Sequence, residues 1–102
     1  MKKTLNDVEL EELLRTHQEW KLQSGKLVRE WTFKDFVEAM AFVNRIAEIA
    51  EAAGHHPDID IRYNRVLLGL ESHDAGGITK RDAAMAAQIS LQFGSPALRS
   101  DG

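Results

Sequence analysis

The tightest constraint on this chain lies in its second half. There Ile59, Ile61 and Tyr63 alternate with Asp60 and Arg62, and Val66, Leu68 and Leu70 then alternate with Leu67, Gly69 and Glu71. A period of two sends successive side chains to opposite faces, so each run reads as a half-buried strand. Asn64 supplies a tight turn between them. Strands joined so closely must pair antiparallel, because a parallel partner needs a crossover of about a dozen residues or more.

A second unit of the same kind lies upstream. Trp20 to Gln23, the turn-forming Ser24-Gly25-Lys26 and then Leu27 to Phe33 read as a hairpin, with Arg29 interrupting the pattern of its second strand. Three helix starts share one signature, a capping side chain followed three residues later by a carboxylate: Asn6 with Glu9, Thr32 with Asp35, and Thr79 with Asp82. Leu5 with Leu10 and Trp31 with Phe36 stand where a hydrophobic staple needs them. The first helix runs to about His17. The second carries an apolar stripe of Phe36, Met40, Val43, Ala47 and Ala50 opposite Lys34, Glu38, Arg45 and Glu48, and ends at Gly54. The third places Asp82, Met85, Ala86, Ile89 and Phe93 on one line.

The order α-β-β-α-β-β-α predicts an α+β fold, a four-stranded antiparallel sheet with three helices packed on one face. Residues 1–102 suffice for one domain with one core, and the stretch from about 95, opening with Ser95-Pro96, reads as a frayed tail. Edge strands and leftover apolar surface predict a homo-oligomer. The absence of cysteine removes disulfide frameworks and thiolate chemistry. Formal net charge is −3 with basic residues dispersed, so direct nucleic-acid binding is not expected. Neither a signal-peptide core nor a bilayer-length apolar run is present, so a cytoplasmic protein without membrane contact is expected.

Candidate chemistry gathers in the histidines. His55 and His56 follow the helix-ending Gly54, and His73 closes the last strand. In an antiparallel hairpin the start of one strand lies beside the end of its partner, so three imidazoles can share one rim. Asp82 lies on the inward line of the third helix, and the short link Asp74-Ala75-Gly76-Gly77-Ile78 keeps it near His73. A carboxylate beside an imidazole fixes its tautomer and suits it to proton transfer. Asp82 also reads as a helix cap, Glu51 as solvated helix surface, His17 as a helix-end residue without a role, and His55-His56 as an ordinary polar loop. Three histidines and a carboxylate also fit a metal site, but adjacent histidines in extended chain point apart and chelate one ion less readily than HxH or HxxxH pairs.

The string Glu51-x3-His55-His56-Pro57, then Tyr63, His73 and Asp82, resembles the signature of the pterin-4a-carbinolamine dehydratase family. The likeness extends from about Trp20, through Thr32-Phe33-Lys34-Asp35-Phe36, to the last helix. It implies the same fold, assembled as a homodimer or homotetramer, and no metal or cofactor. It further implies elimination of water from a 4a-hydroxytetrahydropterin to give a quinonoid dihydropterin, with a functional link to an aromatic amino-acid hydroxylase. Carried across, His55, His56 and His73 form the acid-base cluster with Asp82 in support. Glu51, Pro57, Glu71, Ser72, Asp74 and Arg81 would bind the pterin. Where animal members often hold aromatic residues after Pro57, this chain has Asp58-Ile59-Asp60-Ile61. The other function class is a non-catalytic member of the family, serving as an oligomerisation, assembly or transcriptional-cofactor partner.

Overall fold

Asn6 opens the first helix by a reciprocal box: its side chain accepts from the Glu9 backbone N–H at 2.8 Å, and Glu9 accepts from the Asn6 N–H at 2.9 Å. The elements that follow are α1 (Asp7–Thr16), β1 (Lys21–Gln23), β2 (Lys26–Thr32), α2 (Phe36–Ala53), β3 (Asp58–Arg62), β4 (Arg65–Leu70) and α3 (Lys80–Phe93). The computed structural model describes residues 3–93, and the tail expected from about residue 95 lies outside them. The order is the predicted one, and all strand pairs are antiparallel.

The strands lie in the order β1-β2-β4-β3, so the two hairpins join through their second strands and leave β1 and β3 as edges. On β2 and β4 one parity faces the core throughout, while the other is exposed or half-buried except at the paired Val28 and Gly69. Leu27, Arg29 and Trp31 are paired with Leu70, Leu68 and Val66 and all six are buried. With Leu13 of α1, Phe42 and Ile46 of α2, and Met85 and Ile89 of α3, the apolar members of this face form one core, which puts the three helices on the same side of the sheet. Arg29 keeps its place because its guanidinium stacks over the Trp31 ring at 4.3 Å and donates to Ser90 Oγ at 3.3 Å. Burial pulls its pKa down, and the carboxylate of Glu19 opposes that shift.

Three local expectations are corrected. The cap of α2 is Asp35, whose side chain accepts from the Glu38 N–H at 2.9 Å, so the Thr32–Asp35 box and the Trp31–Phe36 staple do not form. Thr32 instead remains in β2, where the ladder to β4 holds its backbone extended. The buried face of α2 is Ala39, Phe42, Val43, Ile46, Ile49 and Ala50; only Val43 and Ala50 of the expected stripe belong to it, and Phe36 is 48% exposed. An eighteen-residue helix rich in apolar side chains offers two stripes, and the bulkier one, carrying Phe42, Ile46 and Ile49, wins the core. Tyr63 lies in the turn at φ 55° rather than in β3. Next to it Asn64 donates from Nδ2 to the Phe33 carbonyl at 2.9 Å, which clamps the β3–β4 turn against the end of β2.

Candidate active site

The helix α2 stops at Gly54, whose φ of 65° is the left-handed conformation that glycine adopts without a Cβ penalty, with its N–H bonded to the Ala50 carbonyl. The chain then turns directly into His55 and β3. In the β3–β4 ladder the last pair is Asp58 with Gly69. Followed beyond that pair, the register carries His55 towards Ser72, and this is where the structure joins them.

His55 Nε2 lies 2.6 Å from Asp82 Oδ1. The other oxygen of Asp82 accepts from Ser72 Oγ at 2.9 Å and from the Thr79 backbone N–H at 2.9 Å. The Ser72 and Thr79 hydroxyls are 2.8 Å apart. Asp82 is fully buried, as are the hydroxyl partners around it. One carboxylate thus ties together the α2–β3 link, the segment after β4 and the start of α3. The loop between Ser72 and Gly77 is closed on itself, with Ser72 N–H donating to the Gly77 carbonyl at 2.8 Å and Gly76 N–H to the Ser72 carbonyl at 2.9 Å.

His56 and His73 each follow a member of this buried chain and point the other way. Their side chains are 62% and 79% exposed, against 10% for His55. Each has its own carboxylate. His56 Nε2 lies 2.6 Å from Glu51 Oε2, and His73 Nδ1 lies 3.3 Å from Glu71 Oε1. The expectation that Asp82 stands with His73 is therefore corrected to His55. The reason is strand parity: Leu68, Leu70 and Ser72 share the inward side, so the next residue faces outward.

The remaining candidates divide by burial. Arg81 Nη2 donates to Asp74 Oδ1 at 2.7 Å at the surface of the loop. Pro57 is half-buried between His56 and β3, and Ser72 is buried with its hydroxyl turned to Asp82. Thr79, read from sequence only as a cap, also accepts from the Arg81 N–H at 3.2 Å and completes the polar chain. The Glu51–His56 and Glu71–His73 pairings were not foreseen either; spacings of five and two residues are visible in the sequence but acquire meaning only once α2 has ended and β4 has turned. A cleft of about 460 Å³ opens alongside, lined by Lys3, Thr4, Leu5, Asn6, Glu9, Thr79, Lys80 and Arg81, and none of the three imidazoles lines it. Among the described residues, no three His, Asp or Glu side chains are grouped so as to hold a metal ion, and no helix is long and apolar enough to cross a membrane.

The protein-family model described as Pterin 4 alpha carbinolamine dehydratase matches residues 3–91. The chain belongs to that family. Membership in the pterin-4a-carbinolamine dehydratase family places it among the lyases. Relatives that provisionally carry the name pterin-4-alpha-carbinolamine dehydratase include one from Acidobacterium capsulatum, 61% identical over 78% of this chain and 87% of its own. Another, from Thermomicrobium roseum, is 56% identical over 83% of this chain and 91% of its own. Among solved structures, a transcriptional coactivator/pterin dehydratase from Brucella melitensis superposes with a TM-score of 0.81 at 34% identity, over 87% of this chain and 97% of that one. A pterin dehydratase-like protein identified as a RuBisCO assembly factor in the alpha-carboxysome superposes with a TM-score of 0.62 at 25% identity, over 78% and 95%.

Proposed function

We propose that this chain dehydrates a 4a-hydroxytetrahydropterin to the quinonoid dihydropterin by histidine general acid-base catalysis in the cytoplasm. The observation that carries the reading is the set of three imidazole–carboxylate pairs, His55–Asp82, His56–Glu51 and His73–Glu71, on segments tied together by one buried carboxylate. The substrate carries a hydroxyl and a ring nitrogen on one carbon. Its elimination removes a proton from that nitrogen, breaks the carbon–oxygen bond and delivers a proton to the departing hydroxyl, which leaves as water. Imidazole titrates near neutrality and serves either transfer, each worth ~10² to 10⁴ in rate.

His55, His56 and His73 divide these transfers, with Asp82 orienting His55. The pterin lies across the outward imidazoles, flanked by Glu51, Pro57, Glu71, Asp74 and Arg81, rather than in the cleft beside α1. Ser72 contributes through Asp82. The chemistry calls for neither metal nor redox cofactor, so activity should survive chelation. An aromatic amino-acid hydroxylase is the kind of enzyme that would supply the substrate.

The test is to generate the 4a-hydroxytetrahydropterin in situ and follow its dehydration with wild type, His56→Ala and His73→Ala. The reading expects each variant to lose ~10²-fold or more. Equal rates in all three would remove the histidines from the mechanism, and no turnover by wild type would favour the assembly-partner class instead.

The same chain is expected to form a homodimer or homotetramer. Support comes from the two unpaired edges, β1 and β3, with Ile59 exposed on the latter, and from the outer α2 residues Phe36 and Val37. Light scattering on wild type and on Phe36→Glu reads this; a wild-type monomer at micromolar concentration rules it out.

A further inference from the structure

The polar chain around Asp82 has a direction. The Arg81 backbone N–H can only donate, and it donates to Thr79 Oγ1 at 3.2 Å. Ser72 has one hydroxyl hydrogen, and it goes to Asp82 Oδ2 at 2.9 Å. Taken with that donation, the 2.8 Å contact between the two hydroxyls is a donation from Thr79 to Ser72; Thr79 Oγ1 also lies 3.5 Å from the same Asp82 oxygen, and in either arrangement the hydroxyls donate towards the carboxylate. The Thr79 N–H, which also can only donate, reaches the same Asp82 oxygen at 2.9 Å. Every group on that side of Asp82 is a donor, so the carboxylate is the acceptor for all of them. Its remaining oxygen faces His55 Nε2 at 2.6 Å, and an ionised carboxylate can bring only an acceptor to that contact.

We propose that Ser72 and Thr79 are positioning residues that act through Asp82 to hold His55 as its Nε2–H tautomer, leaving Nδ1 as the nitrogen offered to the substrate. The Asp82 contact occupies Nε2, and the His55 side chain stays 10% exposed. The outward pairs select their nitrogens in the same way. Glu51 holds Nε2 of His56 and leaves Nδ1, whereas Glu71 lies against Nδ1 of His73 and leaves Nε2. The role assigned to Nδ1 rests on the dehydratase reading, but the tautomer itself does not.

The experiment is a long-range proton–nitrogen NMR correlation on histidine-labelled protein without substrate, paired with dehydration kinetics. Wild-type His55 is expected to show a protonated Nε2 and a bare Nδ1. In Asp82→Asn the amide oxygen stays with Ser72 and Thr79, its NH₂ faces the ring, and His55 is expected to invert to the Nδ1–H form. Ser72→Ala removes one donor and is expected to give a tautomer mixture with a ~10-fold loss in kcat and little change in KM, while Ser72→Thr, which keeps the hydroxyl, restores the Nε2–H form and most of the rate. A wild-type ring already carrying its proton on Nδ1, or a tautomer indifferent to Ser72→Ala, overturns the proposal. If Asp82→Asn fails to fold, the wild-type and Ser72 spectra decide alone. Wild-type protein with the Nε2–H ring but no turnover overturns the proposed function and leaves the tautomer assignment standing.

Discussion

Removing the Asp82 carboxylate should cost this fold far more than a surface charge would. In Asp82→Ala three donors lose their acceptor: the Ser72 hydroxyl, the Thr79 N–H and His55 Nε2–H. They are not equivalent. The Ser72 and Thr79 hydroxyls, 2.8 Å apart, can still bond to each other, so of their two hydrogens only one loses its acceptor, and rotation of the hydroxyl limits that cost. The Thr79 N–H has no such recourse, and a buried orphaned donor costs about 1 to 3 kcal/mol. His55 loses a comparable amount, reduced where its exposed edge reaches water. The expected destabilisation is therefore about 3 kcal/mol, a large share of the ~5 to 15 kcal/mol that holds a domain together. Urea unfolding followed by circular dichroism reads it as a midpoint lowered by ~2 M at an unchanged slope of ~1.5 kcal/mol per M. The double variant Asp82→Ala with Ser72→Ala should lose less than the two single losses added, because Ser72 stabilises mainly through Asp82. A loss below ~1 kcal/mol in Asp82→Ala, or strict additivity in the double variant, would refute the view that this carboxylate ties the three segments together.

Gly54→Ala should lose ~1 kcal/mol by the same assay: open space surrounds the added Cβ, so the cost is that of a left-handed φ of 65° in a residue with a side chain. A stabilised variant would contradict the observed end of α2. Ile46→Ala, in the fully buried stripe, should lose about 2 to 5 kcal/mol, whereas Phe36→Ala should lose under ~1 kcal/mol in the monomer; the reverse ranking would restore the stripe read from sequence. The Asp58 carboxylate, 2.6 Å from Lys26 Nζ, pushes that ammonium's pKa up. Because the folded value lies above the unfolded one, the stability difference between wild type and Lys26→Met is complete below the ordinary lysine range and vanishes as pH rises through the raised value. A difference that grows with pH would reverse the sign of the interaction.

The fold was legible because its strongest signals are local. Alternation over Val66 to Leu70, the Asn6–Glu9 box and the Gly54 stop each depend on a few neighbouring residues, and each is found where the sequence puts it. What was illegible depends on choices between elements. Nothing in α2 alone says whether Phe36 and Met40 or Phe42 and Ile46 will meet the sheet, since both lines recur at helical spacing; the sheet decides by offering Trp31 as a partner for Phe42, with ring centroids 4.7 Å apart. Arg29 likewise breaks the strand pattern only until Trp31 and Ser90 are seen beside it.

The histidines show the same division at the scale of single residues. Adjacent positions in extended chain face opposite ways, and here the His55 side chain is 10% exposed while that of His56 is 62% exposed. One ring is drawn into the fold and the other left to solvent, and the sequence does not say which. Parity from β4 resolves it: Ser72 continues the inward line of Leu68 and Leu70, reaches Asp82 and so meets His55, and this leaves His56 and His73 outward on either side. The two exposed imidazoles are thus held at their separation by residues that need never touch a substrate. It follows that changes at Ser72 or Thr79 should alter rate more than apparent affinity, because they move the nitrogens that exchange protons and leave the surrounding surface of Glu51, Asp74 and Arg81 in place.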